Sequence, residues 1–166
     1  MQGLIEKGHG HSAALVAAGL FGAVQGAPSI FVTSEPSVLP LFVGLLLGVA
    51  GLFFFSWLLR NFSRWFGGQP ELRHVRTAVG IALLPWTVLF GLFFLFAQSV
   101  EDPAMLAELF PIFFAGFLYG FVILLLSLSA ALKLTVLKTF ICLTVAVLVC
   151  VFPLTRFAQV LERLFA

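Results

Sequence analysis

Few side chains in this chain could do chemistry. His9 and His11 flank Gly10 near the N-terminus. Two imidazoles can touch a divalent cation, but they fall short of the donor set a zinc site needs, and no metal is expected there. Cys142 and Cys150 lie in one apolar run, where a helix would separate them by about 12 Å. That is too far for a disulfide, so they are expected to act as small apolar side chains. His74 sits between Arg73 and Arg76, in a setting that suits solvation or contact with a phosphate. Gln25 is the most polar side chain deep in an apolar run and must find a partner on another helix, or on backbone freed by Pro28. There is no acidic pair in an apolar run, no His-x-x-x-His, no nucleophile elbow and no phosphate loop. The chain is expected to be non-enzymatic, with no catalytic residue, cofactor or metal.

The elements that carry these residues are hydrophobic. Of 166 residues 61% are hydrophobic and only 10% charged, against roughly a quarter charged in soluble domains. The expected fold class is an all-α integral membrane protein forming a single membrane domain over 1–166. Five transmembrane helices are expected, at approximately 12–34, 38–59, 77–98, 110–132 and 134–154. The first run, Ser12 to Ser34, is uncharged and continues past Pro28 through Phe31 and Val32, which favours an uncleaved span over a signal peptide. Pro111 falls in the first turn of the fourth span, where a missing N–H costs little. Lys138 near the start of the fifth can reach the interface. The tail, 155–166, places Phe157, Val160, Leu161, Leu164 and Phe165 on one face, the pattern of a short interfacial helix.

Charge sets the orientation. With the N-terminus cytoplasmic and the C-terminus outside, Lys7, Arg60, Arg64, Arg73, Arg76, Lys133 and Lys138 lie inside, against Arg156 and Arg163 outside. The acidic residues Glu35, Glu101, Asp102, Glu108 and Glu162 then fall outside. Basic residues at span ends point to lipid headgroups rather than nucleic acid.

The most distinctive stretch runs from Arg60 to Pro85. Arg60, Arg64 and Trp65 close the second span, Gly67 and Gly68 turn the chain, and Pro70 and Glu71 suit the first turn of a helix carrying Arg73, His74 and Arg76. This is expected to be a lipid- or partner-facing loop. Pro85 interrupts the third span and is expected to kink it by denying a donor to the carbonyl near Ile81. Trp86, too deep for the interfacial belt, is expected between helices, and Gly80 and Gln25 are also expected at packing positions. Gly22 and Gly26, Gly44 and Gly48, and Gly116 and Gly120 recur at four-residue spacing, which lets helix backbones approach within the chain or between copies.

The run WFGGQPELRHVRTAVGIALLPW, with its Gly-Gly turn, its basic helix start and the step Gly80, Leu83, Leu84, Pro85, resembles the Yip domain (Ypt-interacting protein, member one) family of five-span membrane proteins. Tyr119 and the segment LSLSAALKLTVLKTF add to the likeness, which covers about Phe53 to Leu148. Eukaryotic members carry a long cytosolic N-terminal region and act in vesicle traffic through small GTPases. With about eleven residues ahead of its first span, this chain resembles a short bacterial-type member, which implies a cell inner membrane location. The expected role is to organise or scaffold the membrane through helix packing and the basic loop, with membrane lipids and either further copies or other membrane proteins as partners. Two alternatives stand beside it. One is transport of a small neutral or lipidic solute lined by Gln25, Thr87, Tyr119 and Ser127; the other is an accessory subunit of a larger membrane complex.

Overall fold

The computed structural model describes the backbone of residues 9–28, 38–99 and 103–165, and side-chain surroundings for 10–28, 38–99 and 108–151. Among the described residues the chain forms six helices and no strand: α1 (His9–Gly26), α2 (Leu39–Trp65), α3 (Leu72–Ala82), α4 (Leu84–Ser99), α5 (Pro103–Leu132) and α6 (Val136–Phe165). Among the described residues three stretches are long and apolar enough to cross a membrane: α2, the α3–α4 pair over Leu72–Ser99, and Glu108–Leu132 of α5. The apolar part of α6, Val136–Val151, is shorter. The expected continuation of the first span over 29–34, the turn around Glu35, and the side chains of the tail at 155–166 lie outside the described residues.

Backbone chemistry explains how α2 ends. Gly67 has a φ of 84°, the left-handed conformation that glycine adopts without a Cβ clash. The Gly68 N–H bonds to the Ser63 carbonyl at 2.9 Å and the Gly67 N–H to that of Arg64 at 3.1 Å. These paired bonds satisfy carbonyls left over at a helix C-terminus. The end of α5 repeats the device: Lys133 takes a φ of 53° and the Leu134 N–H reaches back to Ser129 at 3.2 Å. A Cβ on Gly68 would lie 2.9 Å from the Leu132 carbonyl oxygen, so the two turns abut at one end of the bundle. Pro70 and Glu71 sit just ahead of α3, not inside its first turn. Glu71 is the N-cap residue, and its carbonyl accepts the Val75 N–H at 3.1 Å.

The third apolar stretch begins earlier than expected and is divided. Residues expected in one span, 77–98, belong to α3 and α4, which meet at Leu83. The Leu83 N–H is shared between the carbonyls of Val79 at 3.1 Å and Gly80 at 3.2 Å. Pro85 follows in the first turn of α4, where it has no N–H to give, and both the N–H and the hydroxyl of Thr87 bond to the Leu83 carbonyl, at 2.8 and 2.9 Å. Pro85→Ala is expected to join α3 to α4, with a stability change below about 1 kcal/mol because proline in a first turn is tolerated. Amide exchange across residues 81–87 should slow, and unchanged exchange there would show that the break does not depend on the proline.

α5 also starts sooner than the acidic loop suggested. Pro103 suits a first helical position, and Ala104, Met105, Leu106 and Glu108 are good helix formers, so the helix precedes Pro111 and leaves that proline in its interior. The backbone of α6 shows no boundary between the expected fifth span and tail; it is one helix to Phe165.

Packing follows the logic of helices in lipid, where small residues allow close approach. α1 packs antiparallel on α2 through glycines, and Gly80 of α3 meets Ala14 of α1, to whose Cα an added Cβ would come within 2.6 Å. α6 packs on α2 and α5. Leu59, Val75, Leu128, Leu132 and Cys142 are fully buried where α2, α3, α5 and α6 converge, at the end that carries the two turns. α4 contributes no buried residue, and exposed Phe93, Phe96, Phe110 and Phe114 form an aromatic flank suited to acyl chains.

Candidate functional site

Two features stand out: a basic elbow at the end of the bundle where the turns meet, and an apolar chamber between the helices. In the elbow, α2 supplies Arg60, Arg64 and Trp65, and α3 supplies Arg73, His74 and Arg76. Arg64, Arg73 and Trp65 are exposed, whereas Arg60, His74 and Arg76 are half-buried. Trp65 lies edge-on to Phe62 with ring centres 5.0 Å apart. The Arg76 guanidinium lies 4.7 Å over the Phe53 ring, and the His11 ring meets the same phenyl edge-on at 6.4 Å. Three helices therefore bring an arginine and a histidine onto one aromatic ring, a contact of cation and π face.

Acceptors are scarce around these cations. The Nε atoms of Arg60 and Arg76 and the Nδ1 of His11 are buried and have no hydrogen-bond partner among the described residues. Among the described residues the one close contact between an acidic and a basic side chain joins His74 Nδ1 to Glu71 at 3.6 Å, and it is exposed enough to contribute little. Among the described residues Arg60, Arg64, Arg73 and Arg76 have no carboxylate partner.

The other residues singled out in the sequence take their places elsewhere. Gly22, Gly26, Gly44 and Gly48 line the α1–α2 contact: an added Cβ on Gly22 would run into the Gly44 carbonyl, and one on Gly26 into that of Pro40. Gly116 faces the Leu89 side chain and Gly120 the Trp86 indole. Trp86 stacks on Phe117 at 5.4 Å and 10°, and its Nε1 donates to the Phe117 carbonyl at 3.2 Å. Gln25 is exposed among the described residues.

The chamber has a volume of about 580 Å³. Gly51 and Phe55 of α2, Leu83 before α4, Phe121 of α5 and Leu148 of α6 mark its walls. Trp86 and Thr144 also border it, but the Thr144 hydroxyl donates to the Phe140 carbonyl at 2.9 Å and the indole N–H to Phe117, so neither offers a free donor. Gln25, Thr87, Tyr119 and Ser127, the expected lining of a transport path, are not among its walls, and Tyr119 is 65% exposed on the outer face of α5. The cysteines are free thiols, with Cys142 Sγ directed at the Leu59 carbonyl at 3.8 Å. No group of three or more metal-binding side chains gathers among the described residues.

The meeting of His11 and Arg76 on Phe53 was not found in the sequence, because contacts among α1, α2 and α3 leave no periodic trace in any one of them. The chamber left no trace either; Gly51 reads as one more small packing residue.

No curated protein and no solved structure matches this chain. The family model for the Yip1 domain matches residues 11–157, from the histidine on Phe53, through the basic elbow and the chamber, into the continuous last helix. With apolar helices able to span a bilayer and a match over nearly its whole length, this chain is an integral, multi-pass membrane protein that belongs to the Yip1 domain family.

Proposed function

We propose that the protein is a non-enzymatic organiser of the membrane, which holds anionic lipid headgroups at its basic elbow while its helices pack with one another and with neighbouring membrane proteins. In this reading the chain crosses a bacterial inner membrane five times, and the elbow lies on the cytoplasmic side with the N-terminus. The observation that carries it is a pair of half-buried arginines, Arg60 and Arg76, whose Nε atoms have no acceptor among the described residues, with His11 beside Arg76 on Phe53. A phosphate diester offers the bidentate, charge-assisted bonds that guanidinium groups make best. Trp65, exposed beside them, suits the headgroup boundary.

The test is lipid selectivity in nanodiscs of mixed phosphatidylglycerol and phosphatidylcholine, read by native mass spectrometry of retained lipid. Each basic residue near an anionic surface is worth about 1 kcal/mol, so Arg60→Gln with Arg76→Gln is expected to reduce phosphatidylglycerol enrichment by on the order of tenfold. Raised salt should weaken the preference of the unaltered protein. An unchanged preference in the folded double variant would overturn the reading.

A further inference from the structure

The chamber is independent of the elbow, and its chemistry points to a different ligand. We infer that it binds one acyl chain of a bilayer lipid, which enters from the side between α2 and α6. A space of about 580 Å³, open on one side, is ligand-sized. Water is a poor occupant, because a buried water needs polar partners and the Trp86 and Thr144 donors are already bonded to backbone carbonyls. Among the described residues no ionisable side chain lines the walls, so the complementary ligand segment is uncharged and apolar.

Continuity with the lipid-facing surface identifies the source. Leu47 and Leu148 line the chamber and are also 65% and 63% exposed, and Phe117 and Phe140 likewise belong both to a wall and to the outside. At this depth the outside medium is acyl chain. The wall on α2 runs from Leu47 to Phe55 and that on α6 from Phe140 to Leu148, each about 12 Å of helix, giving a channel with its long axis along the helices. Between lipid and protein there is no hydrophobic drive; retention comes from dispersion against the rings of Phe55, Trp86 and Phe121.

Gly51 provides the means to test this. A Cβ built there meets nothing within 4 Å, so a side chain can start from this wall of the chamber without an immediate clash. The Trp57→Phe, Trp65→Phe background leaves Trp86 as the single tryptophan, on the chamber wall. In liposomes with increasing mole fractions of phosphatidylcholine brominated in mid-chain, quenching of Trp86 is expected to saturate at low mole fraction. Gly51→Leu should weaken that saturable component on the order of tenfold with the helical circular dichroism unchanged. Gly51→Ala, a smaller intrusion on a better helix former, should give an intermediate loss and serves if the leucine variant does not fold. Quenching that rises in proportion to mole fraction and is the same in the folded Gly51 variants means annular lipid only, and overturns the inference. The same holds if Trp86 reports an aqueous quencher as readily as the brominated chain.

Discussion

Replacing Gly22 with leucine is expected to separate α1 from α2 and to lower the thermal unfolding midpoint of the bundle more than any other single change in the first helix. A Cβ at this position would overlap the Gly44 carbonyl oxygen and lie 2.9 Å from the Gly48 Cα, and the obstacle is backbone, which cannot rotate away. The relation is reciprocal, since a Cβ on Gly44 would meet the Gly22 carbonyl and one on Gly48 that of Ala18. Overpacking typically costs about 1–3 kcal/mol, and a branched side chain between two backbones belongs at or above the upper end. α1 also carries Ala14 against Gly80 and His11 against Phe53, so its displacement opens the contact with α3 and disturbs the elbow. Circular dichroism melts in nanodiscs should show the loss, with Gly91→Leu as the control, because nothing lies within 4 Å of a Cβ at Gly91. Were the glycines instead an interface between copies, Gly22→Leu would change the oligomer and leave the monomer's melting unaltered.

This example shows where local sequence and tertiary arrangement part company. Four-residue spacing marks Gly22, Gly26, Gly44 and Gly48 as places for close approach, but spacing alone does not say what approaches. The Gly67–Gly68 turn was readable because it is local chemistry: a left-handed residue and two backbone bonds. Composition likewise made the membrane helices plain. The beginning of α5 was obscured because Glu101, Asp102 and Glu108 suggested a loop, whereas the residues from Pro103 onward favour a helix. Gln25 was harder still. On a helix apolar nearly all round, the sequence has no polar stripe to reveal which side meets a neighbour, and the side chain expected in a contact is exposed. The cluster on Phe53 joins residues from three helices, and the chamber is defined by side chains that stop short of one another. Neither has a one-dimensional signature, although the residues of the elbow itself were all visible.

Trp86 links these levels, and its environment supports a second large effect. Gly120→Leu is expected to expel the indole from its seat on α5. A Cβ on Gly120 would collide with the Nε1 and Cδ1 atoms of Trp86, so the ring must leave the Phe117 carbonyl to which it donates at 3.2 Å and the Phe117 ring on which it stacks. The cost combines overpacking, about 1–3 kcal/mol, with a lost hydrogen bond of about 1 kcal/mol. Because Trp86 also borders the chamber, the displaced indole has space to move into it. In the Trp57→Phe, Trp65→Phe background, Gly120→Leu should therefore lower the melting midpoint and shift Trp86 emission. Trp86→Ala should relieve the clash, so that Gly120→Leu costs less when the indole is absent; residues in direct contact commonly couple by about 0.5–3 kcal/mol. Additive effects in this double-mutant cycle would mean that α5 adjusts to the leucine without moving the indole, and that Trp86 is not the element holding α4 to α5 beside the chamber.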